Sequence, residues 1–346
     1  MAICNANTNF PILLVKTIYL IKTSLTLNSF LAKTIDLISL PFTFFAVVWL
    51  KFVRLYIFPV GKRSEKVRMK IGLFPLLDQY YEPLINPKKH LTKPLSEKRS
   101  LPGLNLNVAE QLSFLDKFDY NEELLSFPLH EQDKDTPHFH YHNEWYTLGD
   151  AEYLYNMIRY TKPKRIIEVG SGVSTLLVIE AIKKNKSENS NYTCQHICIE
   201  PYERPWLSTL DVELIRKKVE TVDIEFFQQL EANDLLFIDS SHIIRPQGDV
   251  LFEYLEVLPT LQSGVYIHVH DVFTPRDYDE DWILKHHLLW NEQYLLEAFL
   301  SFNNEFKIIG ALNFLSVHHK KKLGEKCPVF ATEEGISPRA FWMQRL

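Results

Sequence analysis

From about residue 145 the chain alternates short apolar runs with longer stretches of helical spacing. Asp150 to Tyr160 has apolar positions at helical intervals behind an acidic start. Ile166, Ile167 and Val169 make a short buried strand, and Thr175 to Ile182 reads as the helix that follows it. Further on, strands are predicted over Tyr192–Glu200, Lys218–Ile224, Asp234–Asp239 and Gly264–His270, with helices over Leu210–Lys217, Val250–Leu261 and Leu284–Phe302. Phe306–Leu312 and Ala340–Leu346 are late strands, expected to pair antiparallel at the sheet edge. Strands alternating with helices imply an α/β domain, doubly wound around a mostly parallel seven-stranded sheet.

The earlier part of the chain has a different pattern. Residues 1–60 are apolar and helical in character, with Lys16 and Lys22 interspersed in the stretch from Pro11 to Phe30. Leu37 to Leu50 carries no charge but holds Pro41, and it is shorter than the roughly 20 residues of a spanning helix. Three placements compete: an interfacial anchor, a tilted span with Lys51 and Arg54 reaching back to the surface, and a helical subdomain on the body. No positive charge precedes the first apolar run, which argues against a cleaved signal peptide. Residues 61–144, punctuated by Pro75, Pro83, Pro87, Pro94 and Pro102, read as a linker or cap with short helices such as Val108–Phe118. Residues 145–346 form the α/β domain.

Charge sharpens this division. Residues 1–70 hold ten Lys/Arg and two Asp/Glu, a net +8, while the remainder is net −13. A basic apolar leader on an acidic body points to a membrane surface and away from nucleic acid. Lys62, Arg63, Lys66, Arg68 and Lys70 then place the body on the cytoplasmic face. The four cysteines (Cys4, Cys194, Cys198, Cys327) form no C-x-x-C pair, which fits a reducing compartment. Cys194 and Cys198 share a strand face and read as core thiols.

Candidate chemistry sits at strand ends, where open α/β sheets bind ligands. The first strand ends in Glu168-Val-Gly170-Ser171-Gly172, whose glycines allow a sharp turn and close approach of a cofactor. Glu200 ends the second strand, 30 residues after Gly170, where a carboxylate can accept from both ribose hydroxyls. The fourth ends in Asp239-Ser-Ser-His242 and the fifth in His268-Val-His270-Asp271.

The set IEVGSGVST, FIDSSH and HVHDVF, with Glu200 downstream, resembles the class I S-adenosylmethionine-dependent methyltransferases, and within them the bacterial small-molecule and sugar O-methyltransferases. The resemblance covers about residues 145–346. It implies a Rossmann-like methyltransferase fold and S-adenosylmethionine bound by Glu168, Gly170, Ser171, Gly172, Glu200 and Asp239. It further implies a divalent metal cation held by Asp239, His270 and Asp271, with Asp239 and His242 catalytic and His242 as base. Two departures stand out. Ser174-Thr175 occupies the region of the usual third glycine, and His270 stands where an acid is usual, which suits Mn, Fe, Co or Zn better than Mg. The implied acceptor is a small molecule or glycan hydroxyl. A nicotinamide-dependent oxidoreductase and a non-catalytic membrane scaffold are the other readings.

Other positions are weighed against plainer roles. His138, His140 and His142 read as a polar lead-in, not a metal site. Tyr141, Trp145 and Tyr146 are placed to close over a ligand, and Asp150 to cap its helix. Trp290, Tyr294 and Phe299 are expected in the core. Arg276 and Asp277, in the loop after the fifth strand, are candidate substrate contacts.

Overall fold

A computed structural model describes residues 29–58, 60–133, 136–202 and 204–346. Residues 11–28, with Lys16 and Lys22, and Cys4 lie outside the described residues. The described chain divides into two compact units, one ending at Thr92 and one spanning Lys93–Leu346.

In the first unit, helix α1 (Ser29–Phe52) runs on without a break to Ile57. Pro41 lies inside it instead of interrupting it. Proline removes one backbone donor, leaving a carbonyl one turn earlier unpaired. The Ser39 and Thr43 hydroxyls donate to the carbonyls of Asp36 and Ser39 nearby, at 3.0 and 3.1 Å. Such hydroxyl bonds let apolar helices accommodate proline. Leu31–Ile57 is long and apolar enough to cross a membrane, with mean hydropathy 1.7 and no buried residue in its most apolar stretch. Helix α2 (Lys62–Ile71) follows and carries the five basic residues.

The second unit is built on seven strands: β1 (Arg165–Val169), β2 (Gln195–Ile199), β3 (Glu213–Ile215), β4 (Leu235–Ile238), β5 (Tyr266–Val269), β6 (Phe306–Ala311) and β7 (Phe341–Arg345). Their order is β3-β2-β1-β4-β5-β7-β6. The first five are parallel, and β7 runs antiparallel between β5 and β6. The late strands therefore pair as expected, with β7 inserted one place inside the edge. Every residue of β4 and β5 is buried, as covering of both faces requires. Strand order reverses between β1 and β4, so a crevice opens beyond their C-terminal ends.

Two predicted stretches differ. The third strand is Glu213–Ile215, inside the predicted helix 210–217, and 218–224 holds a helical turn at Val219–Thr221 and the start of another at Ile224. A three-residue edge strand leaves too short a pattern to be told from a helix. The predicted helix 284–302 is two pieces, Glu280–Leu284 and α5 (Glu292–Leu300). The chain between them brings Trp290 to the site described below. Helix α3 (Asp150–Thr161) and helix α4 (Val173–Glu188) pack against each other, and α4 begins directly after the glycine turn.

Candidate functional site

Gly170 follows β1 with φ +81°, a conformation that favours glycine. A Cβ there would lie 1.8 Å from the carbonyl oxygen of Asp239. The Gly170 N–H donates to the Ile199 carbonyl (3.1 Å), and the Asp239 N–H donates to the Val169 carbonyl (3.0 Å). These bonds bind the ends of β1, β2 and β4 into one rim. Gly172 then starts α4 from extended backbone, and its N–H donates to Thr175 Oγ1.

Two connected hollows lie over this rim. The smaller, about 160 Å³, has apolar walls from Val169, Ile199, Pro201 and Val219, with Glu200 and Asp239 at its edge. The larger, about 760 Å³, runs from Gly170–Ser174 past Asp239 and His242 to His270, Asp271, Trp282 and Trp290. Gly170, Glu200, Asp239, Ser240 and Ser241 border both. The predicted residues Gly170, Ser171, Gly172, Glu200, Asp239, His242, His270 and Asp271 thus meet at one cavity. Burial raises the pKa of the Glu200 carboxyl above its ordinary value, and the Tyr202 N–H donating to it at 2.8 Å pulls the other way.

Glu168 stands apart from them. It is fully buried beneath the turn and accepts from Ser174 Oγ (2.6 Å) and Thr175 Oγ1 (3.0 Å), with His196 Nε2 at 2.8 Å. Its carboxylate is a strut that fixes the first turn of α4 and does not line the cavity. Ser174 and Thr175, where a third glycine is usual, are the hydroxyls that strut needs. Cys198 joins this cluster as a buried thiol, its Sγ 3.6 Å from the carboxylate.

The ionisable groups are packed tightly. His242, in positive φ, has Nε2 3.3 Å from Asp239 and 3.4 Å from Asp271, and Nδ1 2.7 Å from Glu292. Burial disfavours its charge, but Asp239 and Glu292 outweigh that and hold its pKa well above the usual value. His270 Nδ1 lies 3.6 Å from both Asp239 and Asp271, and Nε2 is 3.5 Å from Asp150. Against the same burial, Asp271 and Asp239 push its pKa up to about 10. Asp239 is lowered in turn: the two imidazoliums outweigh its desolvation. His268, deeper on β5, is pushed well below its usual value by burial and by His270, and is a neutral core residue.

Ligand atoms of Asp239, His270 and Asp271 lie within 4.8 Å of one another, so these residues fit a divalent cation. Arg339, 2.6 Å from Asp271, and His242 supply positive charge to the same carboxylates.

Several expectations need correction. Arg276 and Asp277 do not line the cavity: Arg276 bonds Asn313, and Asp277 pairs with Arg99 (3.1 Å) and Tyr294 (2.9 Å). Asp150 does not cap its own helix; it accepts from the backbone of Arg339 (2.8 Å) and Ala340 (2.7 Å), anchoring the approach to β7. Trp290 is not core but lines the cavity with its ring 4.4 Å from His242. Tyr141 is wholly buried, whereas Trp145 and Tyr146 do border the cavity. Trp282, at the end of the loop after the fifth strand where substrate contacts were expected, does line the cavity, whereas Glu292, Arg339 and Arg204 were missed. They come from distant segments, and no local motif marks them.

Residues 167–272 match a family model described as a methyltransferase domain. An uncharacterized protein of Archaeoglobus fulgidus is 28% identical over 184 residues, covering 49% of this chain and 80% of its own length. Among solved structures, CmcI with Mg and SAM is 11% identical (TM-score 0.34; 81% of this chain, 95% of that one). An O-methyltransferase from Bacillus cereus in complex with SAH is 13% identical (TM-score 0.33; 68% and 90%). At TM-scores this low, neither structure bears on the reading of the site. The matched segment carries the glycine turn, Glu200, Asp239 and Asp271. That segment is similar to a methyltransferase domain.

Proposed function

We propose that the chain is an S-adenosylmethionine-dependent methyltransferase that transfers the sulfonium methyl of its donor to a hydroxyl oxygen of a small molecule or glycan, at the cytoplasmic face of a membrane. The observation that carries the reading is the convergence of Asp239, His242, His270 and Asp271 on the cavity bordered by the glycine turn and Glu200. Methyl transfer from a sulfonium is an in-line displacement, so acceptor oxygen and methyl carbon must be aligned. A sugar or aliphatic hydroxyl also needs its proton removed.

The residues divide the work as follows. Glu200 holds the ribose hydroxyls, and the apolar walls of the smaller hollow take the adenine. Asp239 and the glycine turn place the sulfonium at the mouth of the larger hollow. Trp282 and Trp290 face the acceptor. His242 accepts a proton only when Asp239 and Asp271 no longer stabilise its imidazolium. A divalent cation, where bound by Asp239, His270 and Asp271, supplies Lewis acidity toward the acceptor hydroxyl. Glu292 keeps the His242 ring oriented, as a carboxylate orients a catalytic imidazole.

The membrane placement is supported by the exposed apolar face of α1, by Trp49 and Tyr56 near its C-terminal end, and by the basic residues of α2. Linker, cap and catalytic portions are assigned as 61–144 and 145–346, behind the membrane segment 1–60.

The test uses the full chain in detergent, S-adenosylmethionine labelled in its methyl group, and a small-molecule and lipid-linked glycan extract. Label in a base-stable ether is expected, and Asp239→Ala abolishes it. Label only in base-labile esters, or only on nitrogen, refutes hydroxyl methylation.

A further inference from the structure

The Arg204 guanidinium lies over the start of α4: its Nη1 is 3.4 Å from where a Cβ on Gly172 would sit. Its charge centre is 5.6 Å from the centre of the Trp145 ring. Arg204 and Trp145 both line the larger hollow, beside Gly170–Ser174 and Glu200. Among the described residues no carboxylate pairs with Arg204, although Glu200, a wall residue of opposite charge, feels its field. The other cavity-lining arginine with a fixed position, Arg339, is already paired with Asp271.

The two hollows also dictate how the donor lies. Glu200 stands where they join, so a ribose held there sends its base one way and its methionyl arm the other. The smaller hollow has the apolar walls an adenine needs. The methionyl arm therefore runs into the larger one, along Gly170–Gly172, toward Arg204. That arm ends in a carboxylate, the anion that a planar two-pronged guanidinium matches best.

We infer that Arg204, steadied on the Trp145 ring, binds the carboxylate of the donor's methionyl arm. The inference rests on the S-adenosylmethionine reading above and names the residue that reads the donor's amino-acid end. A guanidinium held over an aromatic face keeps its charge available while losing little side-chain freedom on binding. The role also gives a reason for glycine at 172: a side chain there would intrude between the turn and Arg204.

The experiment compares two ligands on the full chain by isothermal titration. S-adenosylhomocysteine carries the amino-acid arm; 5′-methylthioadenosine keeps the adenosine and the sulfur but lacks the carboxylate. Arg204→Ala is expected to weaken S-adenosylhomocysteine by roughly 10- to 100-fold, the value of a charge-assisted hydrogen bond. It is expected to leave 5′-methylthioadenosine within about twofold. Arg204→Lys keeps the charge and should recover part of the loss. Equal weakening of both ligands would show that Arg204 serves the adenosine or the loop fold, and overturns the assignment. No weakening of S-adenosylhomocysteine overturns it too. Failure of the unsubstituted chain to bind either ligand would instead bring down the donor reading itself, and this inference with it.

Discussion

Replacing each glycine of the turn by alanine separates what the fold needs from what the donor needs. At Gly170, φ +81° costs an L-residue about 1–2 kcal/mol. The new methyl would also sit 1.8 Å from the Asp239 carbonyl oxygen, where ordinary contact begins near 3.4 Å. The turn or the end of β4 must then move by about 1.5 Å. That displacement strains the bonds from Gly170 to Ile199 and from Asp239 to Val169, each worth about 1 kcal/mol. The sum is about 3–4 kcal/mol, which lowers Tm by on the order of 10 °C for a body of this size. Gly172 differs. Its backbone is extended (φ −167°), and the nearest atom to a new Cβ is the far end of Arg204 at 3.4 Å. Gly172→Ala should melt within about 2 °C of the unsubstituted chain. It should nevertheless bind S-adenosylhomocysteine at least about 10-fold more weakly, because the methyl enters the donor's path, a cost near 1.4 kcal/mol. Differential scanning fluorimetry and isothermal titration read the two effects. The reasoning fails if Gly170→Ala melts like the unsubstituted chain, or if Gly172→Ala binds with unchanged affinity.

Two further outcomes are expected. Glu152 accepts backbone bonds from Gly149 (3.0 Å), Val329 (2.7 Å) and Phe330 (2.9 Å), yet burial pushes its pKa from 4.5 to about 7. A raised folded-state pKa gives stability that is full below the unfolded value and lost as pH rises through the folded one, so this contribution fades between pH 4.5 and 7. Glu152→Gln, which turns an amide N–H toward backbone donors, should cost about 2–3 kcal/mol at pH 5 and less at pH 8; a Tm gap that does not narrow with pH would contradict this. In α1, Phe44→Asp with Phe45→Asp places two carboxylates mid-helix at about 2.5–3.5 kcal/mol each, and should move the chain from carbonate-washed membranes to the supernatant. Release of the unsubstituted chain by salt alone would show surface adsorption.

Local pattern was enough for most of the wound sheet. The apolar runs of β1, β4 and β5 are buried on both faces, and a strand of that kind declares itself without help from its neighbours. The glycine turn and the acids that end β2, β4 and β5 were equally legible, because topology alone sends strand ends to one rim. Where two periods fit one short segment, as at β3 and at 284–302, only packing chose between them.

The sequence by itself determined that Gly170, Glu200, Asp239, His242, His270 and Asp271 would meet, since each follows a parallel strand. It did not determine their charge states or their company. Glu292, 50 residues from His242, joins Asp239 in holding the imidazole as a cation, and Arg339 pairs with the carboxylate of Asp271. Glu168 looked like a donor contact from its motif, and only the depth of β1 beneath α4 shows it to be a strut. A motif fixes which residues share an edge; which side of that edge a side chain faces, and what charge lies opposite, is set by contacts between segments far apart in the chain.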